Sequence, residues 1–261
     1  MPLSDTAVAY ALTRVPLHVG MLAALLLGGL VAWSARHAEI PSAPESASRR
    51  AIAAGAPFFM LVAMLFVTLG RTWSQFDALE VSVGEEAGAA LAVGRLSGLL
   101  PPDARAAARR HVRAYVQHVA DEEFPAMARG ETPPTTSPHL DDLAAVWTES
   151  HAAPELAAEA FRSIDAIHAA RSRRAAALAP AVPPSALLLG LALLLASVRM
   201  ASVALVGPSA LRAVVTSLVV FTTLAAALLV VQFSLPFAGD LTVDADPFVD
   251  AANALGERSL R

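Results

Sequence analysis

The chain has 261 residues, of which 56% are apolar and 16% charged, with no cysteine and a formal net charge of −4. So apolar a chain, with a positive mean hydropathy, reads as an integral membrane protein. Its charge excludes the basic face that nucleic-acid binding needs, and the missing cysteine excludes disulfides, thiolate nucleophiles and Cys-ligated zinc. All 19 basic residues are Arg, which together with the abundant Ala indicates a GC-rich, bacterial source.

In chain order, residues 15 to 35 carry no formal charge between Arg14 and Arg36 and form a first expected span. A signal peptide is the competing reading, but its positive n-region would consist of Arg14 and the terminal amine alone. Residues 36 to 50 are a Pro/Ser/Ala loop. From Arg50 to Arg71 there is again no charge, and the twenty residues between them rise ~30 Å as a helix, the thickness of a bilayer core. No proline follows until Pro101, so this second span is expected to continue as helix into solvent, with Trp73 and Phe76 at the interface.

Past the span, Phe76, Leu79, Val83, Ala87, Ala90 and Leu91 recur at helical spacing, with Glu80, Glu85 and Glu86 placed elsewhere on the circle. Pro101, Pro102 and Asp103 start another helix, whose stripe is Val112, Tyr115, Val116, Val119 and Phe124; Pro125 ends or kinks it. Residues 129 to 137 are a loop. Leu140, Leu143 and Trp147 mark a short helix, and Leu156, Ala160, Ile164 and Ile167 a longer one closed by Arg171, Arg173 and Arg174. A third span starts at Pro183 and Pro184. Stopped before Arg199 it would measure only ~22 Å, so it is drawn to about Val206 with Arg199 inside its last turns. Gly207, Pro208 and Ser209 turn the chain into a fourth span, about 212 to 235, before an acidic, turn-rich and weakly amphipathic tail.

The expected fold class is therefore all-α: four transmembrane helices, with a helical extramembrane insertion between the second and third. The segments are 1–70 (spans about 15–35 and 51–70), 71–180 (helical insertion), 181–235 (spans about 184–206 and 212–235) and 236–261 (tail). Arg14, Arg71, Arg171, Arg173 and Arg174 on one side stand against Arg36, Arg49, Arg50 and Arg212 on the other, which leaves orientation undecided by charge.

One order of residues is more specific. Arg71, Trp73 and Gln75-Phe76 at the span exit are followed by Glu85-Glu86-Ala87, Leu99-Leu100-Pro101, Tyr115, and the run Asp121-Glu122-Glu123-Phe124-Pro125-Ala126-Met127. Two spans later come Leu235-Pro236-Phe237-Ala238-Gly239 and Asp246-Pro247-Phe248. In this order the chain resembles the bestrophin-like membrane family, chiefly its bacterial branch, departing at Phe124, where that branch commonly carries Trp. The resemblance covers most of residues 50 to 250 and implies a multi-pass inner-membrane protein with termini and residues 71–180 cytoplasmic. It also implies a homo-oligomer, pentameric by analogy, that conducts small anions through a neck lined by second spans. By that analogy Phe58, Phe59, Val62, Ala63 and Phe66 are the pore-lining candidates, and the expected partners are the lipid bilayer, further copies of the chain and small anions. The alternative is a non-conducting, membrane-anchored helical scaffold.

Among single residues, Arg199 is a charge inside a span, either reaching headgroups or attracting anions within an oligomer. Glu85 and Glu86 either ring a vestibule or face water. His111, His118 and Glu122 share a helix face at spacing a metal site can use, as do His151 and Glu155, and both sets read as solvated surface. No cofactor is assigned. There is no nucleophile elbow, P-loop, HExxH or dinucleotide-binding glycine pattern, so no enzymatic activity is expected.

Overall fold

A computed structural model describes residues 16–37, 47–131, 138–179, 182, 189–198 and 209–257. Every regular element among them is helical: α1 (Leu17–His37), α2 (Ala47–Leu96), a 3-10 turn (Ser97–Leu99), α3 (Pro102–His118), a π-helical turn (Val119–Glu123), α4 (Phe124–Ala128), α5 (Pro138–Glu149), α6 (Pro154–Ala176), α7 (Leu189–Val198), α8 (Ser209–Ser234) and α9 (Asp246–Glu257). The chain divides into two compact units. One comprises residues up to Gln75, Pro180–Leu235 and Gly239–Leu241; the other comprises Phe76–Ala179, Pro236–Ala238 and Thr242–Arg261. The helix α2 is continuous for 50 residues and contributes to both.

Two helical segments are long and apolar enough to cross a bilayer, Gly55–Leu99, which starts in the first unit and runs on into the second, and Ala213–Ser234 of the first; Leu17–Val31 and Leu189–Val198, also of the first, are shorter apolar helices. Most of the expected third span, including Arg199, lies outside the described residues. Helix α1 packs on α8 through small residues. Gly20, Ala24 and Gly28, four apart on one face, are all buried, and a Cβ at Gly28 would come within 3.0 Å of the Ser217 carbonyl oxygen. Close backbone approach of this kind replaces the hydrophobic drive that lipid removes. Leu61 of α2 packs with Leu194 of α7 and Val220 of α8. Hydroxyls in these apolar helices donate to their own helix: Thr68 to the Met64 carbonyl at 2.7 Å, Ser197 to Leu193 at 2.7 Å, Thr223 to Val219 at 2.7 Å. Beyond α8 the chain turns at Gly239, whose φ of +108° suits glycine. Asp240 there accepts from the Leu17 backbone N–H at 2.6 Å.

The second unit holds a core of water-soluble type. Helix α3 starts with Pro102 in its first turn, where the missing N–H costs nothing, and with Asp103 near the positive helix end. Its stripe of Val112, Tyr115 and Val116, continued by Val119 of the π-helical turn, is buried in one core with Leu79, Val83, Ala87 and Ala90 of α2, Leu140, Leu143 and Trp147 of α5, and Ala160, Ile164 and Ile167 of α6. The tail is part of this core. Phe248, Ala251 and Leu255 of α9 are buried in it, Leu255 fills the space beside Gly94, and the Arg113 guanidinium donates to the Leu255 carbonyl at 3.0 Å. Pro125 explains the π-helical turn. It has no N–H to give the carbonyl four residues back, so the helix widens over Val119–Glu123 instead of breaking.

Candidate functional site

Three arrangements follow from this fold. The first is the apolar face of α2 in the first unit. Residues 59, 63 and 66 recur at i, i+4 and i+7, with 62 between them, and share a face. Phe59 is 71% and Phe66 80% exposed in the single chain, and Val62 and Ala63 are exposed with them. Phe58 is half-buried and stands edge-on to Phe59, ring centroids 6.0 Å apart. On the other side of the helix Leu61 is fully buried, and Leu61, Leu65 and Thr68 border an apolar cavity of about 140 Å³ shared with α7 and α8.

The second is a buried ionic cluster in the second unit, which the sequence reading missed. Arg174, in the last turn of α6, is 1% exposed. Its guanidinium donates to both oxygens of Glu86, Nε to Oε2 at 3.0 Å and Nη2 to Oε1 at 2.9 Å, and to Glu123 Oε2 at 2.7 Å. Tyr115 donates its hydroxyl to Glu86 Oε1 at 2.6 Å, and Arg171 donates to Glu123 Oε1 at 2.6 Å. Two carboxylates thus meet two guanidiniums, and the remaining Nη1 of Arg174 lies 3.3 Å from the Met127 sulfur. The Phe124 and Phe248 rings flank the guanidinium carbon at 5.3 and 5.9 Å. Burial pushes the Tyr115 phenol well above its ordinary pKa, and the charge and hydrogen bond of Glu86 push it further. Burial alone would lower the pKa of Arg174, but the hydrogen bonds and charges of Glu86 and Glu123 outweigh it and raise the value. Both groups therefore keep their protons, and the cluster ties α2, α3, the π-helical turn and α6 together.

Glu86 accordingly departs from the expectation that it faces a vestibule or water. It is seven residues from Leu79 and four from Ala90, which sets it within the apolar stripe, and it is fully buried. Arg174 is likewise seven from Ile167 and four from Ala170. A charge set at stripe spacing was the available signal. Glu85 points outward and pairs with Arg173 at 2.8 Å, both more than half exposed.

The third arrangement gathers histidines between α3 and α5. Of the expected triple, His118 Nδ1 meets Glu122 at 3.3 Å, whereas His111 Nδ1 lies 3.7 Å from Asp142 Oδ2. The His139 ring stands 6.4 Å from that of His111 and 6.3 Å from that of His118. His151 sits at a φ of 50°, with Nδ1 2.7 Å from the Glu149 carbonyl oxygen.

Comparison with solved structures finds this helical arrangement in bacterial bestrophin homologs from Klebsiella pneumoniae. One point variant superposes with a TM-score of 0.66 at 15% identity, covering 92% of this chain and 99% of its own. Another structure of that homolog gives 0.65 at 16%, and a second point variant 0.64 at 17%; each covers 92% of this chain and 97% of its own. At such identities the likeness is one of fold. No curated protein sequence matches the chain. The sequence itself matches the Bestrophin-like domain over residues 23–248, nearly its whole length, and the chain belongs to the bestrophin-like family of membrane proteins.

Proposed function

We propose that the chain forms a homo-oligomeric anion channel of the bacterial inner membrane, with α2 lining the path. The observation that carries this reading is the asymmetry of α2: Phe59, Val62, Ala63 and Phe66 are uncovered in the single chain, while Leu61 behind them is fully buried. In a ring of subunits such a face, with Phe58 at its edge, forms an apolar constriction that can gate by dewetting. By family analogy the ring is a pentamer, the spans number four, and the termini and residues 71–180 lie in the cytoplasm. Glu85, exposed beyond the span, then lines the vestibule, and Arg199 attracts anions from within the third span.

The test is chloride efflux from liposomes holding the purified protein, wild type beside Phe59→Ala, with oligomer mass measured in the same detergent. Protein-dependent flux that changes with the substitution supports the channel. A monomer overturns the shared pore. An intact oligomer without flux leaves the second reading, a non-conducting membrane-anchored scaffold, which the self-contained core of the second unit favours.

A further inference from the structure

The histidines between α3 and α5 carry an inference independent of conduction. His111 lies on α3, and His139 and Asp142 lie three residues apart in the first turns of α5, so that both face the same neighbour. One ligand atom from each of the three lies within 4.8 Å of the others. His111 Nδ1 and Asp142 Oδ2 are already 3.7 Å apart, close to the ~3.3 Å edge of a tetrahedron with bonds of about 2.0 Å. Asp142 is exposed and His111 and His139 half-buried, so side-chain rotations at the surface are open to all three in closing around an ion. His118 stands beside His139, ring centroids 6.3 Å apart, but it faces other partners: its Nδ1 lies 3.3 Å from Glu122 and its Nε2 3.9 Å from Glu123 Oε1, so it stays outside the ligand set.

We propose that His111, His139 and Asp142 bind a divalent transition-metal ion of the zinc or cobalt type. Two imidazoles and one carboxylate suit such borderline ions and not Mg²⁺ or Ca²⁺, which take oxygen ligands. Three protein ligands leave a fourth position for water. Because the ligands come from two helices, the ion fastens α5 to α3, and binding adds directly to the stability of the second unit.

The experiment uses the full-length protein in detergent, stripped with a chelator and titrated with Co²⁺ alone. Its visible spectrum reports tetrahedral nitrogen and oxygen coordination, and Zn²⁺ serves as competitor. One Co²⁺ per chain is expected, displaced by Zn²⁺, with Zn²⁺ raising the melting temperature. Loss of an outer-shell partner alone costs 10- to 100-fold in affinity, so His139→Ala and Asp142→Asn are each expected to weaken binding on the order of a hundredfold or more. His151→Ala leaves binding unchanged. If His139→Ala does not fold without metal, Asp142→Asn, altered at an exposed side chain, decides. Absence of saturable binding, or equal binding by wild type and Asp142→Asn, overturns the site.

Discussion

The two stretches of α2 treat their side chains in opposite ways. Up to Gln75 it exposes Phe59, Val62, Phe66 and Val67 and buries Leu61 and Thr72; beyond Phe76 it buries Leu79, Val83 and Ala87 and, beside them, the carboxylate of Glu86. The difference follows from the solvent. In lipid an apolar side chain gains little from leaving its surroundings, so small residues and shape decide which face is covered. In water apolar burial is the drive, and a charge is carried into the core only with its partners. The first stretch is thus held by fit and the second by hydrophobic burial around a paired charge cluster.

The sharpest way to break that contrast is to remove the centre of the cluster. Arg174→Met takes the shared guanidinium from two buried carboxylates, leaving Glu86 the neutral Tyr115 hydroxyl and Glu123 the Arg171 guanidinium, and is expected to cost about 3–5 kcal/mol in denaturant unfolding followed by circular dichroism. Arg174→Lys should rescue little, because an ammonium cannot hold Glu86 with two parallel bonds.

Tyr115→Phe should cost less, about 1–3 kcal/mol, since one hydrogen bond to a charged group is lost. It also carries a pH signature. The folded phenol has a raised pKa, so its contribution is fully present below the unfolded value of about 10 and is lost as pH rises beyond it, by at most about 1.4 kcal/mol per pH unit. Subtracting the variant's alkaline profile from that of the wild type should isolate that slope.

Phe59→Ala, on the uncovered face, should change the stability of the chain by less than about 0.5 kcal/mol while altering chloride flux. A large stability loss without altered flux would place Phe59 in a packing interface instead of a conducting path. Glu85→Gln, one residue from the buried Glu86, removes only an exposed pair and should shift the unfolding midpoint by less than about 1 kcal/mol.

The second unit was the more legible in the sequence because water makes burial periodic. The stripes on α3, α5 and α6, from Val112 through Trp147 to Ile167, are the buried faces of those helices. Glu86 escaped because a carboxylate inside a stripe reads as surface until its partners are known, and Arg174 lies 88 residues away in sequence. The tail escaped for a related reason: the burial of α9 depends on a distant residue, Gly94, leaving room for Leu255. In the first unit the apolar runs were plain but their faces were not. Gly20, Ala24 and Gly28 mark the packed side of α1 by what they lack, while Phe59 and Leu61 are equally apolar and have opposite fates. The histidine cluster was half legible, since His111 and His118 share a helix but His139 and Asp142 join them from another.

The three tryptophans divide between these environments. Trp147 is sealed in the core of the second unit, whereas Trp33 and Trp73 are exposed on the apolar helices of the first, Trp73 edge-on to Phe233 at 5.0 Å. The protein therefore carries a separate optical reporter for each unit. Brominated lipid should quench Trp33 and Trp73 and spare Trp147, and the emission of Trp147 should shift red only when its own unit opens. Loss of the second unit can then be timed against loss of the first in a single sample without attaching a label.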